Sequence, residues 1–152
     1  MINLTFELNN QPMSALKFGA QSLPAFSGLG SFVNKRATMC VSGFGAIPIG
    51  TYYIFDRQSG GLLGPLKNIF NDHSDWFSLY AADGNIDDET FCKNVQRGHF
   101  RLHPKGHAGI SRGCITLENR ADFQRLRAML KSSASISVPG IALQAYGKVV
   151  VK

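Results

Sequence analysis

Strict alternation of apolar and polar residues in "INLTFELN" limits what this chain can fold into more than any other feature. Ile2, Leu4, Phe6 and Leu8 alternate with Asn3, Thr5, Glu7 and Asn9, and a period of two lays the apolar set on one face of an extended strand. "GHFRLHP" repeats the pattern. Phe100 and Leu102 fall on one face, Arg101 and His103 on the other, and Pro104, which has no amide hydrogen for a ladder, ends the strand. "TYYIFDR" carries the aromatic and β-branched load of a central strand after a turn at Pro48 and Gly50. Trp76 to Tyr80 reads as another strand, closed by a polar turn at Asp83-Gly84-Asn85. "NNQP" is a turn and "MSALKFGA" a short strand. "LPAFSGLGSFVNK" reads as loop with short extended pieces, "ATMCVSGFG" as a brief strand or irregular chain, and "QSGGLLGPL" as loop.

After Cys114 the period changes. Phe123, Leu126 and Leu130 fall at i, i+3 and i+7, which predicts an amphipathic helix over 119–131. Asn119 is the expected N-cap, Asp122 favours the positive helix end, and Arg120, Arg125 and Arg127 are expected on the wet face. "ISVPGIALQAYGKVVV" closes the chain with one or two strands. The expected fold is mainly β with this one helix, arranged as two packed sheets. With 152 residues, no internal repeat and no linker, residues 1–152 are expected to form a single domain. A hydrophobic content of 44% against 17% charged residues argues against disorder.

The formal charge is +6, which suits an anionic polymer, an anionic lipid surface or nucleic acid. The basic residues are scattered, with Lys35-Arg36 the longest run, so no nucleic-acid partner is expected. "MINLTFELNNQPM" has neither a positive n-region nor an apolar h-region, so the chain is expected to be made in the cytoplasm without a signal peptide. No run reaches the roughly 18 apolar residues of a membrane span, and no membrane insertion is expected.

"FRLHPKGHAGISRGCITL", residues 100–117, concentrates the reactive side chains. His99, His103 and His107 are spaced by four, but Pro104, Gly106 and Gly109 rule against the helix that would align three imidazoles on a metal. A thiol reading fits better. Cys114 becomes a nucleophile when an imidazole takes its proton. Gly113 lets the backbone approach a carbonyl closely, amides around Cys114 would hold an oxyanion, and Ser111 would shape the turn. His103, mounted on a strand end, is the first choice of base and His107, in the turn, the second. The plain alternative is a surface histidine and a buried strand cysteine. Cys40 and Cys92 either remain buried thiols or pair in an oxidising compartment. Trp76 is expected in the core. Tyr52 and Tyr53 either line a groove or pack inside. Asp72, Asp75, Asp87 and Asp88 read as solvated turn acids.

"FRLHP…GISRGCITL" resembles the active-site signature of YkuD-type L,D-transpeptidases, and "IPIGTYYI" resembles the strand upstream of it. Across residues 1–130 the ordered set "PAFSG", "IPIGTYYI", "WFSLY", "FRLHP" and "GCITL" is similar to the Tlde family of L,D-transpeptidase-like toxins delivered by type VI secretion. The resemblance implies a YkuD-like β-sandwich in which Cys114 is the nucleophile, His103 the base and later acid, and Ser111 the loop-ordering residue. Gly113 and Cys114 would supply oxyanion amides, and no cofactor or metal is implied. The implied substrate is the peptidoglycan tetrapeptide stem, cut between meso-diaminopimelate and D-alanine, with the acyl group passed to water, a D-amino acid or a second stem. Arg112 stands where cell-wall transpeptidases carry His, and Thr116 where they often carry Arg or Asn. The stem carboxylate would then be gripped by Arg112, with Arg97 and Arg101 as rivals, and Thr116, His107 and Tyr53 complete the expected substrate groove. The implied partners are the type VI machinery and a periplasmic immunity protein plugging that groove, with action in the target cell's periplasm. A catalytically inactive wall-binding module and a cysteine endopeptidase cutting another stem bond are the rival readings.

Overall fold

The computed structural model describes residues 1–57, 75–106 and 112–152. Twelve strands occur among them: β1 (Ile2–Phe6), β2 (Ser14–Phe18), β3 (Gln21–Phe26), β4 (Gly50–Asp56), β5 (Phe77–Ala81), β6 (Glu89–Cys92), β7 (Val95–Gly98), β8 (Arg101–Pro104), β9 (Ile115–Leu117), β10 (Ile136–Ser137), β11 (Gln144–Ala145) and β12 (Gly147–Val151). The helix α1 spans Arg120–Ser132. The described residues are therefore mainly β with one α-helix, which follows Cys114, as the patterning predicts.

Eight strands join in the closed order β1-β12-β4-β5-β8-β9-β3-β2, while β6-β7 and β10-β11 are separate pairs. The expected two-sheet sandwich is thus replaced by one sheet closed on itself, which leaves the eight strands no open edge. Closure depends on β3. Its residues fall in a Gly- and Ser-rich stretch that reads as loop with short extended pieces, and the extended piece here is a full strand whose Ala25 and Phe26 pair with Leu117 and Thr116 of β9. Pro24 is tolerated because its carbonyl accepts the Glu118 amide at 3.0 Å, a bond that needs no proline N–H.

The apolar sets of β1 and β8 enter the barrel. Leu4, Phe6, Phe100 and Leu102 lie in the main core with Ile115, Leu117 and the α1 residues Phe123, Leu126 and Leu130. Burying each such side chain contributes about 1.5–3 kcal/mol. Asn119 does sit at the helix N-cap in extended conformation, but its side chain makes no capping bond. Its amide donates instead to Asp122 Oδ2 at 3.2 Å. "ATMCVSGFG" contains no strand; it is a short 3-10 turn followed by irregular chain. No helix among the described residues is long and apolar enough to cross a membrane.

The parallel pair β8–β9 positions the reactive residues. Leu102 faces Ile115, His103 faces Thr116 and Pro104 faces Leu117. The same register carried back one residue puts Cys114 level with Arg101. Because Leu102, Ile115 and Leu117 point inward, the alternation of the pleat turns Arg101, His103 and Thr116 outward.

Candidate functional site

His103 is 5% exposed, although a histidine on the outer face would ordinarily be wet. Trp76 covers it, with ring centroids 4.1 Å apart and planes within 15°. Trp76 is therefore a stacking platform for the imidazole rather than the core residue its apolar bulk suggests, and it is only half-buried. Arg127 of α1 supports the platform from behind by donating Nε–H to the Asp75 carbonyl at 3.2 Å, so that arginine is not simply a wet-face residue.

The ring's tautomer follows from its neighbours. Nδ1 lies 2.8 Å from the Pro104 carbonyl, which can only accept, so Nδ1 carries the hydrogen. In the neutral ring the lone pair is then on Nε2, which lies 3.4 Å from Thr116 Oγ1. Thr116 is completely buried. Its hydroxyl therefore meets the imidazole inside the fold and is not open to the cleft.

Cys114 is half-buried, lies outside the disulfide, and donates from Sγ to the His99 carbonyl at 3.9 Å. The chain reaches it through Gly113 at φ +90°, a conformation that favours glycine. Burial pushes the Cys114 thiol up. The Arg101 amide and guanidinium pull it down, Asp88 pushes it up, and the net direction is upward. The surroundings of the sulfur thus favour the neutral thiol over the thiolate.

Asp88 is half-buried and paired rather than the solvated turn acid its surroundings in the sequence predict. It accepts from Arg101 Nη1 at 2.6 Å and Nη2 at 2.7 Å, a bidentate pair, and from His99 Nδ1 at 3.1 Å. Burial lowers Arg101, but the hydrogen bonds and charge of Asp88 outweigh it and hold that guanidinium above its ordinary value. A guanidinium already forked onto one carboxylate is poorly placed to grip another, so Arg101 is a structural neighbour of the sulfur.

A cleft of about 460 Å³ is lined by Ser42, Gly43, Glu89, Gln96, Arg97, Gly98, His99 and Arg112; Cys114 does not line it, and adjoins it through His99, whose carbonyl takes the thiol contact. Arg112 is exposed and faces this space. Arg97 lines it too, but with its guanidinium bound to backbone carbonyls. Tyr53 does not line the cleft; it packs with Phe55 in a second cluster on β4, two strands from β8. Tyr52 is core, its hydroxyl donating to the Pro48 carbonyl at 2.8 Å. Ser111, His107 and Asp72 lie outside the described residues.

The structure thus places Cys114, Gly113, His103, Thr116, Arg101 and Arg112 around β8–β9, and sets Trp76 against His103 and Asp88 against Arg101. No sequence period marks these last two contacts, since each joins residues of separate segments.

A closed β-barrel with a histidine on β8 and a cysteine at the entrance to the parallel strand β9, near a cleft that Arg97, His99 and Arg112 line, defines a protein with a candidate thiol–imidazole site. Residues 21–141 match the family model described as Tlde1 domain, and the chain belongs to that family, whose members are effectors of type VI secretion. Membership carries with it delivery by the secretion machinery into a target cell. No curated protein and no solved structure gave a significant match to the chain.

Proposed function

We propose that the chain is an antibacterial L,D-carboxypeptidase with L,D-transpeptidase capacity, acting through Cys114 on peptidoglycan tetrapeptide stems. One observation carries the reading: His103, its Nδ1 bound to the Pro104 carbonyl, lies on the same outer face of the β8–β9 pair as Cys114 by the register and pleat of those strands. Membership of the Tlde1-domain family supports it. In this mechanism Nε2 takes the thiol proton as Sγ attacks the carbonyl carbon at the L-centre of diaminopimelate. The amides of Gly113 and Cys114 stabilise the oxyanion, and the positive φ at Gly113 aims them. Collapse breaks the peptide bond, and the imidazolium protonates the departing D-alanine amine. Water, deprotonated by the same nitrogen, then cleaves the thioester and regenerates the thiol. An amine acceptor in place of water gives exchange or cross-linking. Trp76 holds the imidazole plane through both proton transfers, and Arg112 grips the stem carboxylate in the cleft.

The raised Cys114 thiol fits a base-assisted attack better than a preformed thiolate. The open cleft favours water as acceptor. In the same reading residues 1–152 act as one catalytic domain with a YkuD-like arrangement, working in the target periplasm, and an immunity protein blocks the cleft. Mass spectrometry of muropeptides incubated with the wild type and with Cys114→Ala tests substrate, bond and nucleophile together. Loss of D-alanine from tetrapeptides by the wild type alone is expected. Cleavage retained by Cys114→Ala refutes the catalytic role, a cut at another bond favours the endopeptidase, and binding without product favours a wall-binding module.

A further inference from the structure

Arg97 lies on the inner side of β7, 5% exposed, in a pocket made of backbone carbonyls. Its Nη1 donates to Met39 and, at 3.2 Å, to Ala46, and its Nη2 donates to Gly45 at 3.0 Å. The guanidinium also lies over the Phe100 ring, 5.4 Å from its centroid. No ion pair to Arg97 occurs among the described residues. A buried cation compensated by dipoles alone depends on every one of those dipoles staying in place.

Two features make that dependence consequential. First, the same guanidinium touches the turn that carries the thiol. A Cβ built on Gly113 would lie 2.7 Å from Arg97 Nη2 and 2.9 Å from Phe100 Cε1, so Arg97 and Phe100 form the floor beneath that turn. Second, all three carbonyls belong to the irregular segment 39–46, and this segment is joined to the β6–β7 hairpin by the Cys40–Cys92 disulfide. Cys92 lies on β6, directly paired with β7, and Ser42 and Gly43 of the same segment line the cleft together with Glu89, Gln96 and Arg97 of the hairpin, so segment and hairpin each contribute a wall. The disulfide and Arg97 both tie these two walls together.

We propose that Arg97 is a positioning residue for Cys114, and that the Cys40–Cys92 disulfide, by holding the carbonyl cradle in which Arg97 sits, makes the reactivity of Cys114 depend on oxidation. The consequence for activity rests on the peptidase reading above; the coupling itself does not. Formation of the bond consumes a disulfide oxidant of the thiol-exchange type. Cys40 and Cys92 each give up a proton and together two electrons, one S–S bond forms, and the oxidant's S–S bond is reduced to two thiols. In a thiol-reducing cytoplasm the walls are untied, the cradle loosens and the Cys114 turn loses its floor. In an oxidising compartment the site is completed. An effector built this way is quiet where it is made and active where it is delivered.

The test compares the oxidised wild type with Cys40→Ser/Cys92→Ser, Arg97→Met and Arg97→Lys, all in the full chain. Hydrogen exchange and site-resolved iodoacetamide labelling are the readouts. In the double serine variant and in Arg97→Met, amides of residues 112–115 should exchange at least tenfold faster while those of β1 and β12 keep their protection. The pH profile of Cys114 alkylation should move down toward that of an exposed thiol. Arg97→Lys, which keeps the charge and can reach some of the carbonyls, should restore part of both changes. Exchange at 112–115, or an alkylation profile, that stays at the oxidised wild-type value in the double variant overturns the proposal. Muropeptide cleavage is read in parallel and should fall at least tenfold in the double variant. If the oxidised wild type cleaves nothing, the peptidase reading fails, while exchange and labelling still decide the coupling.

Discussion

Replacing Gly113 by alanine isolates the geometry on which the thiol site depends. Gly113 has φ +90°, and an added Cβ would meet Arg97 Nη2 at 2.7 Å and Phe100 Cε1 at 2.9 Å. Neither neighbour can retreat at small cost. Arg97 is held by the carbonyls of Met39, Gly45 and Ala46, and Phe100 is 1% exposed in the core. A left-handed backbone costs a non-glycine residue roughly 1–2 kcal/mol, and forcing a methyl into filled space costs roughly 1–3 kcal/mol more. The sum is roughly 2–5 kcal/mol, which lowers the melting temperature by about 4–20 °C for a domain of this length. Relief of the collision also displaces Cys114, and an error of about 1 Å at a reacting atom costs on the order of 100-fold in rate. Gly19→Ala is the control, because Gly19 has φ +54° with nothing within 4 Å of a built Cβ. It carries the backbone strain alone, roughly 1–2 kcal/mol, and should leave activity unchanged. Calorimetric melting together with muropeptide mass spectrometry measures both effects. If Gly113→Ala melts with Gly19→Ala and cleaves at the wild-type rate, the packing beneath the nucleophile has been misread.

Further outcomes follow from the same geometry. Labelling of Cys114 by iodoacetamide should still be rising at pH 9, because burial and Asp88 raise the thiol against the opposing pull of Arg101; a plateau near neutrality contradicts this. Asp88→Asn removes a negative charge that disfavours the thiolate, so its labelling profile should shift to lower pH. His103→Ala should reduce cleavage by about 10²–10⁴-fold, the usual contribution of a general base, and Trp76→Ala should lower turnover while the protein still folds; full activity in either removes that residue from the site. Reduction of the disulfide, which links residues 52 apart, should cost about 4 kcal/mol by loop-closure entropy. That corresponds to a melting point about 8–16 °C lower, measurable by calorimetry with and without a dithiol reductant.

Elements whose own period carries the signal are legible in the chain. The alternation in "INLTFELN" and "GHFRLHP" and the i, i+3, i+7 spacing after Asn119 correspond to β1, β8 and α1, with Leu4, Phe6, Leu102, Phe123 and Leu130 fully or almost fully buried. Elements with mixed signals are not. In β3 the alternation of Leu23 and Ala25 falls in a Gly- and Ser-rich stretch, so the segment that closes the barrel reads as loop with short extended pieces. The β6–β7 hairpin turns on Lys93 and Asn94, both at positive φ, where the recognisable signature would be Asn-Gly.

The order of side chains along single strands fixed a good part of this protein: which faces are apolar, where the helix lies, and that a histidine ends a strand eleven residues before a cysteine. These follow from interactions between residues two to four apart. Tertiary folding alone decided that the sheet closes on itself, that Cys40 meets Cys92, that Trp76 covers His103, that Asp88 forks onto Arg101, and that Arg97 lies under Gly113. These meetings join segments far apart in the chain, 58 residues in the Arg97–Met39 contact and, where the sheet closes, the two ends of the chain in the Ile2–Gly147 pair. No periodicity encodes such meetings, because they depend on the one closed packing that lets all the local faces be buried together.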